Sequence, residues 1–234
     1  MPFNQDRSEL DEPSQNLMVM NSSLIVLDFE TTGMSPQLGA RPTEVAAVKI
    51  ENGQIVDRYQ SLMNADIYVP AFITELTGIT NAMVRGAPPI DHVMRELHSF
   101  VDGRTIIAHN ASFDRKFLEA EWRRLRLPMP SKVLCSLLLA RRVYPEVGRY
   151  KLGALVEHLD LPRTGRYHRA LADAEMTAHL WLRMTAEIAA RFSYRSVPLV
   201  LMEQLQSITK NRATDFLSSY RDYHGLTAFE EAQE

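Results

Sequence analysis

Apolar residues in this chain fall into short runs and helical stripes separated by polar breaks, and their spacing predicts the elements before any chemistry is considered. Residues 1 to 20 show no periodicity and are expected to form a loose N-terminal arm. Leu24-Ile25-Val26-Leu27 is a short apolar run suited to a buried strand, and it leads into Asp28-Phe29-Glu30-Thr31-Thr32-Gly33. Residues 43–50 alternate loosely, Asn52-Gly53 is a hairpin-turn pair, and residues 54–63 return, so three antiparallel strands open the fold. Pro88-Pro89 precedes Ile90, Val93, Met94, Leu97, Phe100 and Val101 on one helical face, which Asp102-Gly103 ends. A strand at residues 105–108 comes next. Phe113, Phe117, Leu118, Trp122 and Leu125 then mark a second helix, stopped by Leu127-Pro128.

Beyond a short apolar segment near Val133, the residues Leu152, Leu155, Val156 and Leu159 mark a third helix, and Leu171, Ala174, Ala178, Trp181 and Leu182 a long one from about Arg169 to Ile188. Leu199 to Ile208 carries a weaker helical signal, and the last five residues look frayed. Three strands followed by alternating helices and strands indicate an α/β domain with a mixed sheet covered by helices. The expected division is an arm over residues 1–20, one domain over 21–190 and a helical or irregular extension over 191–234.

Composition agrees with a globular domain and excludes disordered or collagen-like chains, since 45% of the 234 residues are hydrophobic and 24% charged. No apolar run approaches the roughly 18 residues of a membrane span, and Asp6, Glu9, Asp11 and Glu12 stand where a signal peptide would be apolar, so a cytoplasmic address is expected. The single cysteine, Cys135, lies among Val133, Leu134, Leu137 and Leu138 and reads as a small core hydrophobe. The net charge of −3 conceals an asymmetry: residues 115–169 carry 13 basic against 5 acidic side chains, a balance of +8, and the remainder is at −11. A nucleic-acid partner is therefore not excluded.

The carboxylates are the informative feature. Asp28 and Glu30 sit two apart at the end of an apolar strand, so both side chains face the same side of the sheet. Like charges so placed repel unless a cation neutralises them, and hard divalent ions favour oxygen ligands. Asp114 opens the second helix within His109-Asn110-Ala111-Ser112-Phe113-Asp114, and Asp173 lies one turn into the last core helix with His168 five residues before it. A first-turn Asp is explained by the helix dipole alone. That explanation does not account for their company.

Asp28-Phe29-Glu30-Thr31-Thr32-Gly33, His109-Asn110-Ala111-x-Phe113-Asp114 and His168-x4-Asp173 resemble the three exonuclease motifs of the DEDDh family in the ribonuclease-H-like superfamily. Leu76-Thr77-Gly78-Ile79-Thr80, followed by Pro88-Pro89, resembles the stretch between the first two motifs. The likeness spans about Leu24 to Ile188 and is nearest to bacterial proofreading exonucleases and ribonuclease T. It implies a mixed five-stranded ribonuclease-H-like sheet and a 3′-to-5′ exonuclease releasing nucleoside 5′-monophosphates from DNA. It also implies two divalent ions, Mg²⁺ or Mn²⁺, held by Asp28, Glu30, Asp114 and Asp173, with His168 as general base. Thr31, Thr32, Gly33 and Met34, with Leu76 and Thr77 opposite and with Asn110 and Phe113, correspond to the terminal-nucleotide pocket, which would favour single-stranded or frayed 3′ ends. His92, His98 and His109 lack metal-ligand company and read as structural or surface histidines.

Two alternatives stand beside this one. An exoribonuclease fits the same motifs, because no residue identifies a 2′-hydroxyl reader. A polymerase-associated binding module would use the fold without catalysis, although repelling carboxylates kept together argue against it. A DNA polymerase or a second copy of the chain is the expected protein partner; the tail from about Pro198 either binds a partner helix or packs on the parent domain, the second being favoured.

Overall fold

The computed structural model describes residues 23–220 except 131, 164, 166 and 167. The expected N-terminal arm and frayed C-terminus lie outside the described residues. Among those described, no helix is long and apolar enough to cross a membrane.

Five strands form one mixed sheet in the order β3-β2-β1-β4-β5. They are β1 (Leu24–Thr31), β2 (Pro42–Glu51), β3 (Gln54–Leu62), β4 (Thr105–Ala108) and β5 (Val133–Cys135). β1, β2 and β3 are antiparallel neighbours, whereas β4 runs parallel to β1 and β5 parallel to β4. The turn between β2 and β3 places Asn52 at φ 51° and Gly53 at φ 76°, the left-handed pair that a two-residue hairpin needs.

Alternation along β1 sorts its side chains onto two faces. Leu24 and Val26 join Ala46, Val48 and Ile107 beneath α5 (Ser136–Val143), α6 (Leu152–His158) and α7 (Ala170–Phe192). Ile25, Leu27 and Phe29 join Val45, Ala47 and Ile106 beneath α3 (Ile90–Val101) and α4 (Ser112–Arg124). β1 is thus central, covered on both sides, and its carboxyl end is where helices from opposite faces meet.

Two short helices, α1 (Ala71–Thr77) and α2 (Asn81–Arg85), and a 3₁₀ turn at Pro36–Leu38 occupy stretches that the periodicity leaves as loop, and α5 follows β5 without a break. α7 continues to Phe192, two residues past the expected boundary at 190. α8 (Leu199–Leu205) buries Leu201, Met202 and Leu205 in the same apolar layer as Leu139 and Met184. A further helix over residues 213–220 adds Ala213 and Leu217 to that layer. The extension, as far as residue 220, therefore packs on the domain.

Candidate active site

β1 carries Asp28 and Glu30 onto the α7 face, in the row begun by Leu24 and Val26. β4 pairs with β1 only as far as Val26–Ile107, so beyond that point the two parallel strands separate. The amide of Phe29, between the two acids, donates to Asp114 Oδ1 at 3.1 Å and so draws the first turn of α4 to the strand end. Asp114 is 3% exposed.

On the other side, Asp173 stands in the first turn of α7, and its Oδ2 accepts the amide of His168 at 2.9 Å. His168 sits at φ 61°, in the left-handed region. Glu30, His168 and Asp173 each offer one ligand atom, and these atoms lie within 4.8 Å of one another. Three chain segments distant in sequence thus deliver the acids and the imidazole to one place.

Their electrostatics show a deficit of positive charge. Burial pushes Glu30 up to about 8, and Asp173 adds to the rise. Asp114 is pushed up to about 7 by burial, against the amide of Phe29 that favours its ionised form. Asp28 stands well above the usual carboxylate range, first through desolvation and then through Asp114, Asp173 and Glu30. Asp173 is raised by burial and partly restored by the His168 amide. Oxygen donors that repel one another in this way fit divalent cations.

The surroundings divide into groups that face outward and groups already engaged. Thr31 Oγ1 donates to Gly33 O at 2.7 Å, and Thr32 Oγ1 accepts the Arg41 amide at 3.0 Å, so both hydroxyls shape the loop after β1. Gly33 would bring a Cβ only to 3.4 Å from Ala40 Cβ. Met34 is 73% exposed and Leu76 also faces outward, whereas Thr77 is buried with its hydroxyl bonded to Ile73 O and Ile79 N. Asn110 holds φ 64° and its carbonyl accepts the Phe113 amide, while the Phe113 ring packs on Phe117 at 5.1 Å.

His109 is fixed between Ser136 Oγ and Tyr150 O, each at 2.9 Å, and burial lowers it to about 4. It is neutral and structural, and it ties the loop at Tyr150 beneath the second acidic segment.

Two residues at this site escape a reading of the sequence. Glu44 on β2 lies opposite Glu30 with 1% exposure, and Arg169 binds it through Nε and Nη2. In a loosely alternating strand, Glu44 carries the signature of a solvent-facing position, and nothing local in the sequence connects it with Arg169.

Comparison with known proteins gives consistent results. A family model described as exonuclease matches residues 25–181. The PolC-type DNA polymerase III of Caldanaerobacter subterraneus is 34% identical over 210 residues, which is 88% of this chain and 15% of that protein. The 3′-5′ exonuclease DinG of Bacillus subtilis is 37% identical over 192 residues, 82% of this chain and 20% of that one. The chain thus spans a fifth or less of these two relatives. Among solved structures, exonuclease X in complex with 5′-overhanging duplex DNA superposes with a TM-score of 0.58 at 27% identity, covering 83% of this chain and 99% of that one.

Proposed function

The chain belongs to the exonuclease family, and from that membership we propose that it is a metal-dependent 3′-to-5′ exonuclease acting on unpaired 3′ ends of DNA and releasing nucleoside 5′-monophosphates. The observation that carries this reading is the convergence of Asp28, Glu30, Asp114, Asp173 and His168 at the carboxyl end of β1.

Asp28, Glu30, Asp114 and Asp173 are the groups suited to hold two divalent ions, Mg²⁺ or Mn²⁺. Bound there, the ions would supply positive charge to the attacking and leaving oxygens of an in-line displacement. His168 is exposed at the rim of the acidic cluster, where it takes the proton of the attacking water. The water oxygen bonds to phosphorus, the bond from phosphorus to the preceding 3′-oxygen breaks, and that oxygen is protonated as the chain's new 3′-hydroxyl. Met34 and Leu76, both outward-facing apolar groups, serve the terminal base, and Gly33, having no side chain, lets the backbone come close to the nucleotide. Thr31, Thr32 and Asn110 shape the backbone around that pocket, and Phe113 closes one wall.

DNA is favoured as substrate because the polymerase relatives and exonuclease X are named for DNA functions. The same likeness makes a DNA polymerase the partner class to test first.

Mononucleotide release from a single strand labelled at its 3′-terminal nucleotide tests the reading. Asp28→Ala and His168→Ala should each reduce Mg²⁺-dependent release by at least roughly 100-fold; full activity in either overturns the assignment. Matched DNA and RNA oligomers decide the sugar preference, and faster cleavage of RNA would transfer the proposal to an exoribonuclease.

A further inference from the structure

Resting on the reading that His168 and Asp173 serve the hydrolytic site, we propose that Glu44 and Arg169 form a positioning pair that fixes the turn into α7 and holds both residues against Glu30. Glu44 stands directly across from Glu30 on the neighbouring strand, on the sheet face that carries the acids. A buried carboxylate in that place adds to the repulsion at the site, so it calls for a physical explanation.

Its partners supply one. Arg169 Nη2 approaches Glu44 Oε1 at 2.7 Å and Arg169 Nε approaches Oε2 at 3.1 Å, a two-point grip. Gln60 Nε2 donates to Oε1 at 2.9 Å, and the backbone amide of Ala170 donates to Oε2 at 3.1 Å. Ala170 is the first residue of α7, and the preceding Arg169 makes no capping bond with its own side chain. Its amide would otherwise be one of the unpaired donors of a helix start. Glu44 therefore caps α7 from a different element.

The consequence falls on the residue before. His168 holds the left-handed backbone at φ 61°, a conformation that side chains with a Cβ resist, and its amide is bound by Asp173. Three successive residues are pinned: His168 by its amide, Arg169 by its guanidinium and Ala170 by its amide. Without the middle and last of these anchors, the His168 turn is free to relax toward extended backbone. The imidazole then leaves the position where it lies within 4.8 Å of the Glu30 and Asp173 oxygens. Lysine at 169 would keep the charge but lose the fork that fixes direction.

The test uses the full chain as wild type, Arg169→Lys, Arg169→Met and Glu44→Gln. Thermal melting and circular dichroism report folding, steady-state kinetics on a single-stranded DNA oligomer give kcat and KM, and Mn²⁺ titration followed by electron paramagnetic resonance gives metal affinity without substrate. For folded Arg169→Met we expect kcat to fall about 100-fold with KM within about threefold of wild type. Mn²⁺ affinity should weaken by about 10-fold or more, and Arg169→Lys should recover part of both losses. Wild-type kcat and Mn²⁺ affinity with only a lowered Tm would overturn the proposal. If Arg169→Met does not fold, wild-type values in both Arg169→Lys and Glu44→Gln overturn it equally. An inactive wild type would refute the assigned function, and the Mn²⁺ titration of the variants would then still decide the role of the pair.

Discussion

Glu30 titrates ordinarily near 4.5 and in the metal-free fold near 8, so between those values the folded protein keeps a proton that the unfolded chain has released. Its contribution to stability is whole below the lower value and is lost as pH rises through the upper one. Asp114, raised to about 7, acts in the same direction. Protein treated with a chelator should therefore melt at a lower temperature at about pH 8.5 than at about pH 5, and millimolar Mg²⁺ should restore the loss. A melting temperature independent of pH over that range would contradict the crowding of carboxylates. At the alkaline end Asp28→Asn should raise the melting temperature of the chelated protein while abolishing nucleotide release, because the same charge that repels its neighbours is needed for the cation. Asp28 and Glu30 were legible as a pair because the strand period puts both on one face, whereas Asp114, His168 and Asp173 joined them only through the resemblance of their motifs to the DEDDh family. Glu44 and Arg169 were not, since a buried charge is recognised only when its partner, 125 residues away, is brought to it by the fold.

Elements were legible where length and period are unambiguous. Residues 24–31, the Asn52-Gly53 hairpin and the stripe of α3 carry their own signals, and all three appear where the pattern predicts them. α1 buries only Ile73 and Thr77 and leaves Phe72 and Leu76 outward, so it has no apolar stripe to read. α5 follows β5 within one apolar stretch from Val133 to Leu139, where period alone cannot separate strand from helix. α8 shows how far the core extends: Leu201 is fully buried beside residues of α5 and α7. Leu201→Ala should cost about 2–5 kcal/mol in urea unfolding. The nucleotide-release rate of the molecules that remain folded should be unchanged, which separates a packing role from a catalytic one.

For the whole molecule, charge distribution matters more than the sum. The net −3 becomes about +1 when two divalent ions are counted, and the surplus of positive charge lies between the second and third acidic segments. Within that stretch Arg149 and Lys151 are exposed on either side of Tyr150, whose carbonyl is tied to His109 next to Asn110. On the proposed function, they are expected to meet phosphates entering the site. Replacing both with Glu should raise KM several-fold, leave kcat nearly unchanged and flatten the dependence of kcat/KM on salt; an unaltered salt dependence would remove this stretch from the substrate path.

The chain after α7 fastens to three successive segments of the domain: β5 itself, the residue just before it, and α5. Gln206 Oε1 accepts the amide of Cys135 at 3.1 Å, Lys132 pairs with Glu203, and Arg142 Nε donates to Ile208 O at 2.6 Å. Cys135 lies in β5, the edge strand of the sheet among the described residues, where peptide groups without a strand neighbour can pair with an extended segment. A glutamine amide occupying one of those groups acts as a guard, filling a place that a strand from another molecule would take. A chain cut at Pro198 should therefore do more than lose stability: it should self-associate through β5, growing larger with concentration in light scattering, at a rate set by how often two uncovered edges collide.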